Sequence, residues 1–370
     1  MRPLLATIHL SALSHNLQIV KQHAPKAKVM AVVKANGYGH GLLNAAEGLK
    51  AADGFAVLGL NEAITLREAG FEQTILLLEG VFEASELILA SKHKLNVVVH
   101  STTQLQMLEK AKLPIAIEVH LKMDSGMHRL GFAPQAFTEA LERLQVCANV
   151  ANITLMSHFA TADDARGIDA QLNVFNTSLY TSSHATTSAI SLANSATLLR
   201  FPKAHYDWVR PGIMLYGATP MAETKASQFN LQAAMTLSSE IISVQTIQSG
   251  ESIGYGHRFT ATKTTRVGIV ACGYADGYPR HAGQFSTEAL AHGAPIIVAG
   301  KPSQTLGRVS MDMLFCDVTH IPEANIGAPV ELWGQKLPVD NVAQACGTIG
   351  YELLCAVSSR VPFNVLTLDI

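Results

Sequence analysis

The feature of this 370-residue chain that most limits its possible folds is a regular alternation of short apolar runs with amphipathic stretches up to about residue 218. Helical patterns such as those at 61–70 and 102–112 separate the runs. Strands that alternate with helices pair in parallel through crossover connections. With roughly eight such units, we predict a closed (β/α)8 TIM-like barrel, and a doubly wound sheet is the alternative. The runs occupy residues 28–35, 55–60, 74–80, 96–100, 116–123, 153–160, 188–195 and 208–217.

The pattern changes after about residue 232. Runs rich in β-branched residues, such as 235–247 and 294–300, follow one another between Gly and Pro turns. This pattern is typical of a mostly antiparallel β domain. We therefore predict an N-terminal barrel over residues 1–232 and a C-terminal β domain over residues 233–370, with the polar segment 221–232 as a linker.

Composition and charge exclude several classes of protein. Apolar residues make up 48% of the chain and charged residues 15%, which favours a large buried core over disorder. The net charge of −2 argues against a nucleic-acid partner. No run approaches the ~18 apolar residues of a membrane span, and the first residues lack an apolar signal segment of ~7–15 residues. We expect a cytoplasmic protein with no membrane partner.

The cysteines and histidines do not form a recognisable metal site. The five cysteines are scattered, odd in number and without a C-x-x-C pair, which favours buried thiols in a reducing compartment. The fifteen histidines contain no H-x-x-x-H or H-E-x-x-H pattern. We therefore expect no metal cofactor.

Lys34 ends the first strong apolar run and is followed at once by Ala-Asn-Gly-Tyr-Gly-His-Gly. Active sites of barrels lie at the C-terminal ends of the strands. An ammonium group is unusual there because apolar strands exclude unpaired charge. Lys34 is either a lysine that extends its charge to the barrel rim or a desolvated amine suited to forming a Schiff base. The glycines that follow would let a bound group approach the backbone closely.

Eight segments, in order along the chain, resemble those of the alanine racemase family. Residues 31–41 (AVVKANGYGHG) are similar to its pyridoxal-phosphate attachment segment. The resemblance implies the barrel-plus-β fold, pyridoxal 5'-phosphate as cofactor, and interconversion of L-alanine and D-alanine. The departures are Gly37, Ser125 and the weakly matching stretch 281–295. The other segments are LKMDSGMHRLGF (121–132), MSHFATAD (156–163), ANSAT (193–197), VRPGIMLYG (209–217), GYADGYPR (273–280), GRVSMDM (307–313) and YELLCAVSSRVP (351–362).

The resemblance also implies which residues bind the cofactor. Lys34 would carry it as an aldimine, and Arg210 would face the pyridine nitrogen. A permanently charged guanidinium opposes protonation of that nitrogen and so restrains delocalisation of the carbanion. A phosphate dianion prefers backbone N–H groups at a glycine turn or helix N-terminus, together with hydroxyl donors. The implied phosphate-binding residues are Tyr38, Asn194, Ser195, Gly212, Ile213 and Tyr351.

Racemisation requires proton transfer on both faces of Cα, and the resemblance implies that two bases share this task. Lys34 would act on one face of the external aldimine, after the substrate amine displaces it from its own aldimine with the cofactor. Tyr274 would act on the other face and would come from the partner subunit of an obligate head-to-tail homodimer. A phenol is a weak base at neutral pH, so His158, and through it Arg210, would supply polar support.

The resemblance further implies how the substrate is held. Arg129 is the substrate-side arginine. The Met311 N–H would bind the substrate carboxylate from the same wall as Tyr274, which the partner subunit supplies and which also contains Asp312. In many members of the family the lysine matching Lys122 is carbamylated by CO₂. We expect the same modification here, because an anion at this position would orient Arg129.

Three other functions fit parts of the pattern. An amino-acid decarboxylase of the same architecture would place a carboxylate against the pyridine nitrogen, whereas Arg210 matches that position here. A racemase of broader specificity stays open, because pocket width depends on loops. A non-catalytic cofactor-binding protein made of the barrel alone would need neither Tyr274 nor residues 233–370.

Overall fold

The computed structural model describes residues 2–180, 188–282 and 293–367. These residues form two compact units, and neither unit is one continuous stretch of the chain. Most of the weakly matching stretch 281–295 lies outside the described residues. The barrel unit consists of Leu17–Gly37 and Ala45–Leu215, and the sheet unit consists of Met1–Asn16, Tyr38–Asn44 and Tyr216–Ile370.

The strands are numbered in chain order. They are β1 Leu4–His9, β2 Lys28–Val32, β3 Gly54–Val57, β4 Thr74–Leu77, β5 Asn96–Val99, β6 Ile117–Lys122, β7 Val150–Met156, β8 Ala189–Ser191, β9 Trp208–Val209, β10 Met235–Ile247, β11 Ser252–Ile253, β12 Phe259–Thr260, β13 Thr265–Val270, β14 Pro295–Val298, β15 Lys301–Leu306, β16 Leu314–Asp317, β17 Pro329–Trp333 and β18 Phe363–Leu366.

Helices precede, separate and follow these strands. They are Leu10–His23, Leu42–Gly48, Leu60–Glu68, Ala84–Lys92, Thr102–Lys110, Pro134–Gln145, Asp169–Tyr180, Ser195–Arg200, Val339–Ala345 and Gly350–Ala356. Short 3₁₀ turns add Pro202–Ala204, Ile213–Tyr216, Ala226–Phe229, Tyr255–His257 and Tyr274–Asp276. The segment Lys34–Tyr38 is a helical turn with left-handed residues inside it.

The barrel unit is built around β2 to β9, which form a closed barrel of parallel strands. The barrel closes where β2 pairs with β9, with Val29 opposite Val209. The predicted (β/α)8 barrel is confirmed, because each of the eight apolar runs of the sequence overlaps one of these eight strands. Helices cover its outside: Pro134–Gln145 begins with a proline and buries Phe137, Ala140, Leu141 and Leu144 on one face.

The sheet unit contains an eight-stranded sheet in the order β13-β16-β15-β14-β17-β10-β1-β18. The long strand β10 lies antiparallel to β1 and β17 and, beyond an irregularity between Ile241 and Ser243, antiparallel to β13. Only the β1–β18 pair among the described strands of this sheet is parallel. The predicted mostly antiparallel β domain is therefore confirmed.

Strand β1 was not identified from the sequence. It pairs with β10, where Leu4 lies opposite Ser239, and with β18, where Ala6 lies opposite Phe363. Both partners are distant along the chain, so no local pattern indicates that the first residues join this sheet. The boundary between residues 232 and 233 stays a prediction, since the sheet unit also takes up residues near the start of the chain.

Two kinds of feature are absent from the described ranges. No helix there has the length and apolar character required to cross a membrane. Nor do three or more His, Cys, Asp or Glu side chains gather there in a way that could hold a metal ion.

Gly39 lies in the sheet unit where only glycine fits. Its φ is +79°, and a Cβ built on it would lie 2.0 Å from the carbonyl oxygen of Leu354. We expect Gly39→Ala to lower the free energy of unfolding by about 2–4 kcal/mol, because it adds a steric clash to backbone strain. Urea denaturation measures this loss.

Gly250→Ala is the matched control for this substitution. Gly250 has a φ of +90° in the same unit, but a Cβ there would meet nothing within 4 Å. We expect a loss of only about 1 kcal/mol from backbone strain. Equal losses in the two variants would contradict the close approach of Leu354 to Gly39.

His120 lies on β6 and is 2% exposed. Burial, together with the charge of Arg210, lowers its pKa from 6.5 to about 3. The folded protein therefore keeps this ring neutral where the unfolded chain protonates it. Because the unfolded state then binds more protons, the stability that neutral His120 contributes is fully present above pH 6.5 and decreases as the pH falls towards 3.

We expect His120→Asn to make this acid-induced loss shallower by about 1.4 kcal/mol per pH unit within that window. Urea unfolding of wild type and variant at a series of pH values gives the two slopes. The control His23→Asn changes an exposed histidine of the same unit and should leave the slope unchanged. Parallel slopes for wild type and His120→Asn would show that His120 titrates normally in the folded state.

Candidate active site

The parallel strands of the barrel unit bring several predicted site residues to one end of the barrel. Lys34 follows β2, Lys122 is the last residue of β6, and Arg210 follows β9. His158 comes two residues after β7, and Ser195 begins the helix after β8. Each position is at the carboxyl end of its strand, which is where barrel enzymes place their chemistry.

Lys34 is followed by an unusual run of left-handed residues. Ala35, Asn36 and Gly37 have φ of 53°, 54° and 62°, and Tyr38 continues the run with 50°. Non-glycine residues in this region cost about 1–3 kcal/mol each, and such strain clusters at functional sites. The turn fixes the backbone beside Lys34, whose half-buried amine has no hydrogen-bond or ion-pair partner in the described part of the chain.

Arg210 is 4% exposed and is held by neutral oxygens. Its Nη1 donates to Ser191 Oγ at 2.6 Å, and its Nη2 donates to the carbonyl oxygens of Ser157 at 2.7 Å and Leu192 at 3.3 Å. Within residues 2–180, 188–282 and 293–367, its Nε–H has no acceptor and its guanidinium no carboxylate partner. Burial lowers the pKa of Arg210 to about 10, so it remains charged at neutral pH.

Lys122 is 6% exposed and lies among positive charges. Burial first, then Arg210 and Arg129, lower its pKa to about 8, and Glu79 and Asp124 oppose the shift. A substantial fraction of its amine is therefore neutral near that pH. Arg129 itself is exposed, and no hydrogen bond or ion pair is found for it among the described residues.

His158 is the imidazole of this group. Burial and the charges of Arg210, Lys122 and other cations hold its pKa well below the usual range. The ring is therefore neutral at physiological pH and can donate only one N–H hydrogen bond. Its Nε2 lies 3.5 Å from the side-chain nitrogen of Asn194.

The segment after β8 forms a compact polar turn. The Asn194 side chain caps the helix Ser195–Arg200 by accepting from the Thr197 N–H at 2.9 Å. The Ser195 hydroxyl oxygen accepts from the Gly212 N–H, also at 2.9 Å. The Ser195 O–H stays available as a donor, and Ile213 follows Gly212 directly. This turn joins the ends of β8 and β9 and offers hydroxyl and backbone donors to an anion.

The aromatic residues of the sheet unit form a separate cluster. The ring of Tyr38 stacks on Tyr216 with centroids 4.6 Å apart and lies 6.1 Å from the ring of Tyr351. Burial raises the pKa of Tyr38, so its phenol remains protonated and can act as a hydrogen-bond donor. Two of the predicted phosphate ligands, Tyr38 and Tyr351, are thus neighbours within this unit.

The sheet unit also brings Tyr274 and Met311 together. The Tyr274 N–H donates to the Ser310 carbonyl oxygen and the Ala275 N–H to that of Met311, both at 3.0 Å. Both side chains are accessible, Tyr274 at 38% and Met311 at 53%. No acceptor for the Met311 N–H is found in the described residues, so that donor is available to a ligand.

Several residues that shape the site were not identified from the sequence. Ser157 and Ser191 hold Arg210, and the Ser157 hydroxyl donates to the Met123 carbonyl oxygen at 2.9 Å. Ser157 directly precedes His158, which was the only signal available for it. Nothing in the sequence near Ser191 distinguishes it from other strand residues.

The donor set of the barrel unit fits a phosphorylated, imine-forming cofactor. Lys34 offers an amine without a partner, and Arg210 offers a charged N–H without an acceptor in the described ranges. Ser195 and the adjoining glycine turn offer donors of the kind that a phosphate dianion requires. Arg210 and Arg129 act on Lys122 more strongly than Glu79 and Asp124 do, which also favours an anionic ligand.

Comparison with known proteins identifies the family. The model of the alanine racemase N-terminal domain matches residues 8–220, and that of the C-terminal domain matches residues 234–365. The alanine racemase of Paraburkholderia phytofirmans is 51% identical over 98% of both chains. That of Nitrosospira multiformis is 53% identical over 97% of this chain and 98% of its own.

Solved structures agree with the sequence relatives. The biosynthetic alanine racemase of Pseudomonas aeruginosa superposes with a TM-score of 0.94 at 47% identity, covering 99% of this chain and 100% of its own. The alanine racemase of Acinetobacter baumannii gives a TM-score of 0.90 at 39% identity, with the same coverage. By fold and by sequence over nearly its whole length, the chain belongs to the alanine racemase family.

Proposed function

We propose that the chain interconverts L-alanine and D-alanine with pyridoxal 5'-phosphate, using Lys34 on one face of the substrate Cα and the partner subunit's Tyr274 on the other. Members of the family are pyridoxal-phosphate-dependent racemases. Two features at one end of the barrel carry the proposal. The Lys34 amine has no partner among the described residues, and the buried Arg210 is bound by neutral oxygens.

The cofactor would be held mainly by groups of the barrel unit. Pyridoxal phosphate, joined to the substrate amine, withdraws electrons from Cα and so makes its C–H bond acidic. The charged guanidinium of Arg210 would face the pyridine nitrogen and disfavour its protonation. Lys34 would hold the cofactor, and the proposed phosphate ligands are Tyr38, Asn194, Ser195, Gly212, Ile213 and Tyr351.

The proton transfers are divided between two side chains. The Lys34 amine takes a proton from Cα of one enantiomer and returns it in the reverse direction. The partner's Tyr274 performs the same exchange on the opposite face. Neutral His158 supports the phenolate through its N–H, because burial and then the charge of Arg210 hold the pKa of His158 well below its usual value.

The substrate carboxylate would be bound from two directions. Arg129 provides a guanidinium without a partner in the described chain. The partner subunit's Met311 provides a backbone N–H that has no acceptor among the described residues. Arg129 and Lys122 repel each other while both are charged. If Lys122 adds CO₂, the resulting carbamate becomes an anion that attracts Arg129 and fixes its orientation.

We also propose an obligate homodimer with shared active sites in the cytoplasm. The side chains of Tyr274, Met311 and Met313 are exposed, which supports the proposal that this surface contacts a second subunit. No disulfide joins cysteines within the described residues, which supports a reducing compartment. The family-model matches end at residue 220 and resume at 234, which supports a domain boundary at 232/233.

We expect Tyr274→Phe to reduce racemisation by about 100-fold or more, because one of two proton carriers is lost. Cofactor absorbance should be retained. Exchange of the α-hydrogen of one enantiomer should continue through Lys34 without inversion. An α-deuterium washout assay on both alanine enantiomers, with serine and lysine as comparison substrates, measures these rates.

The matched control for this variant is Tyr255→Phe, which removes a hydroxyl from a tyrosine that is 72% exposed in the same unit. It should leave racemisation unchanged. If Tyr274→Phe racemises alanine at nearly the wild-type rate, the two-base assignment is wrong.

Lys122 is expected to bind CO₂ as a carbamate. Its neutral amine attacks CO₂ and loses a proton, so formation should increase as the pH rises towards the lysine pKa of about 8. After incubation with isotope-labelled bicarbonate, NMR should show a labelled carbonyl that Lys122→Gln lacks. A free amine at Lys122 in the active enzyme, with Arg129 correctly oriented, would refute the modification.

A further inference from the structure

Asp276 is a buried carboxylate to which the proposed reaction assigns no role. It lies in the Tyr274–Asp276 turn of the sheet unit and is 0% exposed. Both of its oxygens accept hydrogen bonds from Arg2 at 2.7 Å, and one also accepts from the Gly273 N–H at 2.8 Å. Arg360 Nε lies 3.1 Å from the other oxygen. A buried charge is tolerated only with such complete pairing.

The same two arginines also bind the turn that contains Met311. Arg2 donates to the carbonyl oxygen of Asp312, and Arg360 Nη2 donates to the Asp312 carboxylate at 2.6 Å. Arg2 and Arg360 come from opposite ends of the chain. Together they join the turn that contains Asp276 to the turn that contains Met311 and Asp312. We call Arg2, Arg360, Asp276 and Asp312 the arginine clamp.

The backbone leaves little freedom between the two turns. A Cβ on Gly273 would lie 2.3 Å from the Met311 carbonyl oxygen, so the two backbone segments are already in close contact. The Asp276 carbonyl oxygen accepts from the Ser358 N–H at 3.1 Å, which ties in the segment that bears Arg360. Burial opposes ionisation of Asp276, but Arg2, the Gly273 N–H and Arg360 outweigh it and hold its pKa below the usual value.

We propose that Asp276 and Arg2 are positioning residues, which set the distance and direction between the Tyr274 phenol and the Met311 N–H through the arginine clamp. This inference rests on the proposed roles of Tyr274 and Met311. The amide that holds the substrate carboxylate and the phenol that transfers the proton must face the same substrate in a fixed arrangement. A displacement of about 1 Å in such an arrangement can cost ~100-fold in rate.

A clamp that only stabilises the fold would act differently from one that positions Tyr274. General loosening would lower every activity of the enzyme together. Misplacement of Tyr274 alone would spare the proton exchange performed by Lys34 on its own face. The ratio of α-hydrogen exchange without inversion to racemisation therefore separates the two cases.

The test measures that ratio for each alanine enantiomer in deuterated water, using the holoenzyme. For Asp276→Asn and Arg2→Gln we expect racemisation to fall by about 10-fold or more and the ratio to rise by a similar factor for the enantiomer that Lys34 deprotonates. Arg2→Lys keeps the charge but loses the bidentate hydrogen bonding to Asp276, and it should give an intermediate ratio. If Asp276→Asn does not fold, Arg2→Gln decides, because it leaves Asp276 paired with Arg360.

Asp317→Asn is the matched control. Asp317 is a carboxylate of the same unit that accepts from the Thr319 N–H at 2.9 Å. Its replacement should leave the ratio unchanged. A proportional loss of exchange and racemisation in Arg2→Gln, or no loss of either, would overturn the positioning role.

Tyr274→Phe separates this inference from the function on which it rests. If that variant leaves the ratio unchanged, the two-base proposal fails and the positioning role fails with it. If it raises the ratio while Arg2→Gln and Asp276→Asn do not, only the positioning role is wrong.

Discussion

The buried charge of Arg210 influences the protonation of much of the barrel end. Its guanidinium pairs, in the described part of the chain, with a serine hydroxyl and backbone carbonyl oxygens that do not neutralise it. After burial, this charge is the next contribution that lowers the pKa of Lys122, His158 and His120. Because removing a cation from water is costly without a counter-charge, such a site favours an anionic ligand. A phosphorylated cofactor and a substrate carboxylate supply that charge.

The barrel could be predicted from the sequence because its strands are short, apolar and separated by amphipathic helices. The sheet unit was predicted only in outline. Strand β1 joins β10 and β18, whose residues are far away along the chain, and pairing at such separations leaves no local pattern. The register of the eight-stranded sheet includes irregularities within β10, and no sequence pattern predicts them.

Most of the site residues were predicted from the family resemblance. Only some of them could have been predicted from the chemistry of the sequence alone. Lys34 could be predicted because a charged residue at the end of an apolar run is unusual. Ser191 and Ser157 orient Arg210 but look like ordinary strand and loop residues. The partnership of Asp276 with Arg2 and Arg360 joins opposite ends of the chain, so no spacing rule could reveal it.

The place of β1 in the sheet has a consequence for the order in which the protein matures. A ribosome releases β1 long before its partners β10 and β18. The barrel strands can assemble while translation continues, since their neighbours follow closely. In the sheet unit β1 must wait unpaired until these distant strands have been made, which makes assembly of this sheet the slow, long-range step and the exposed edge of β1 a target for chaperones.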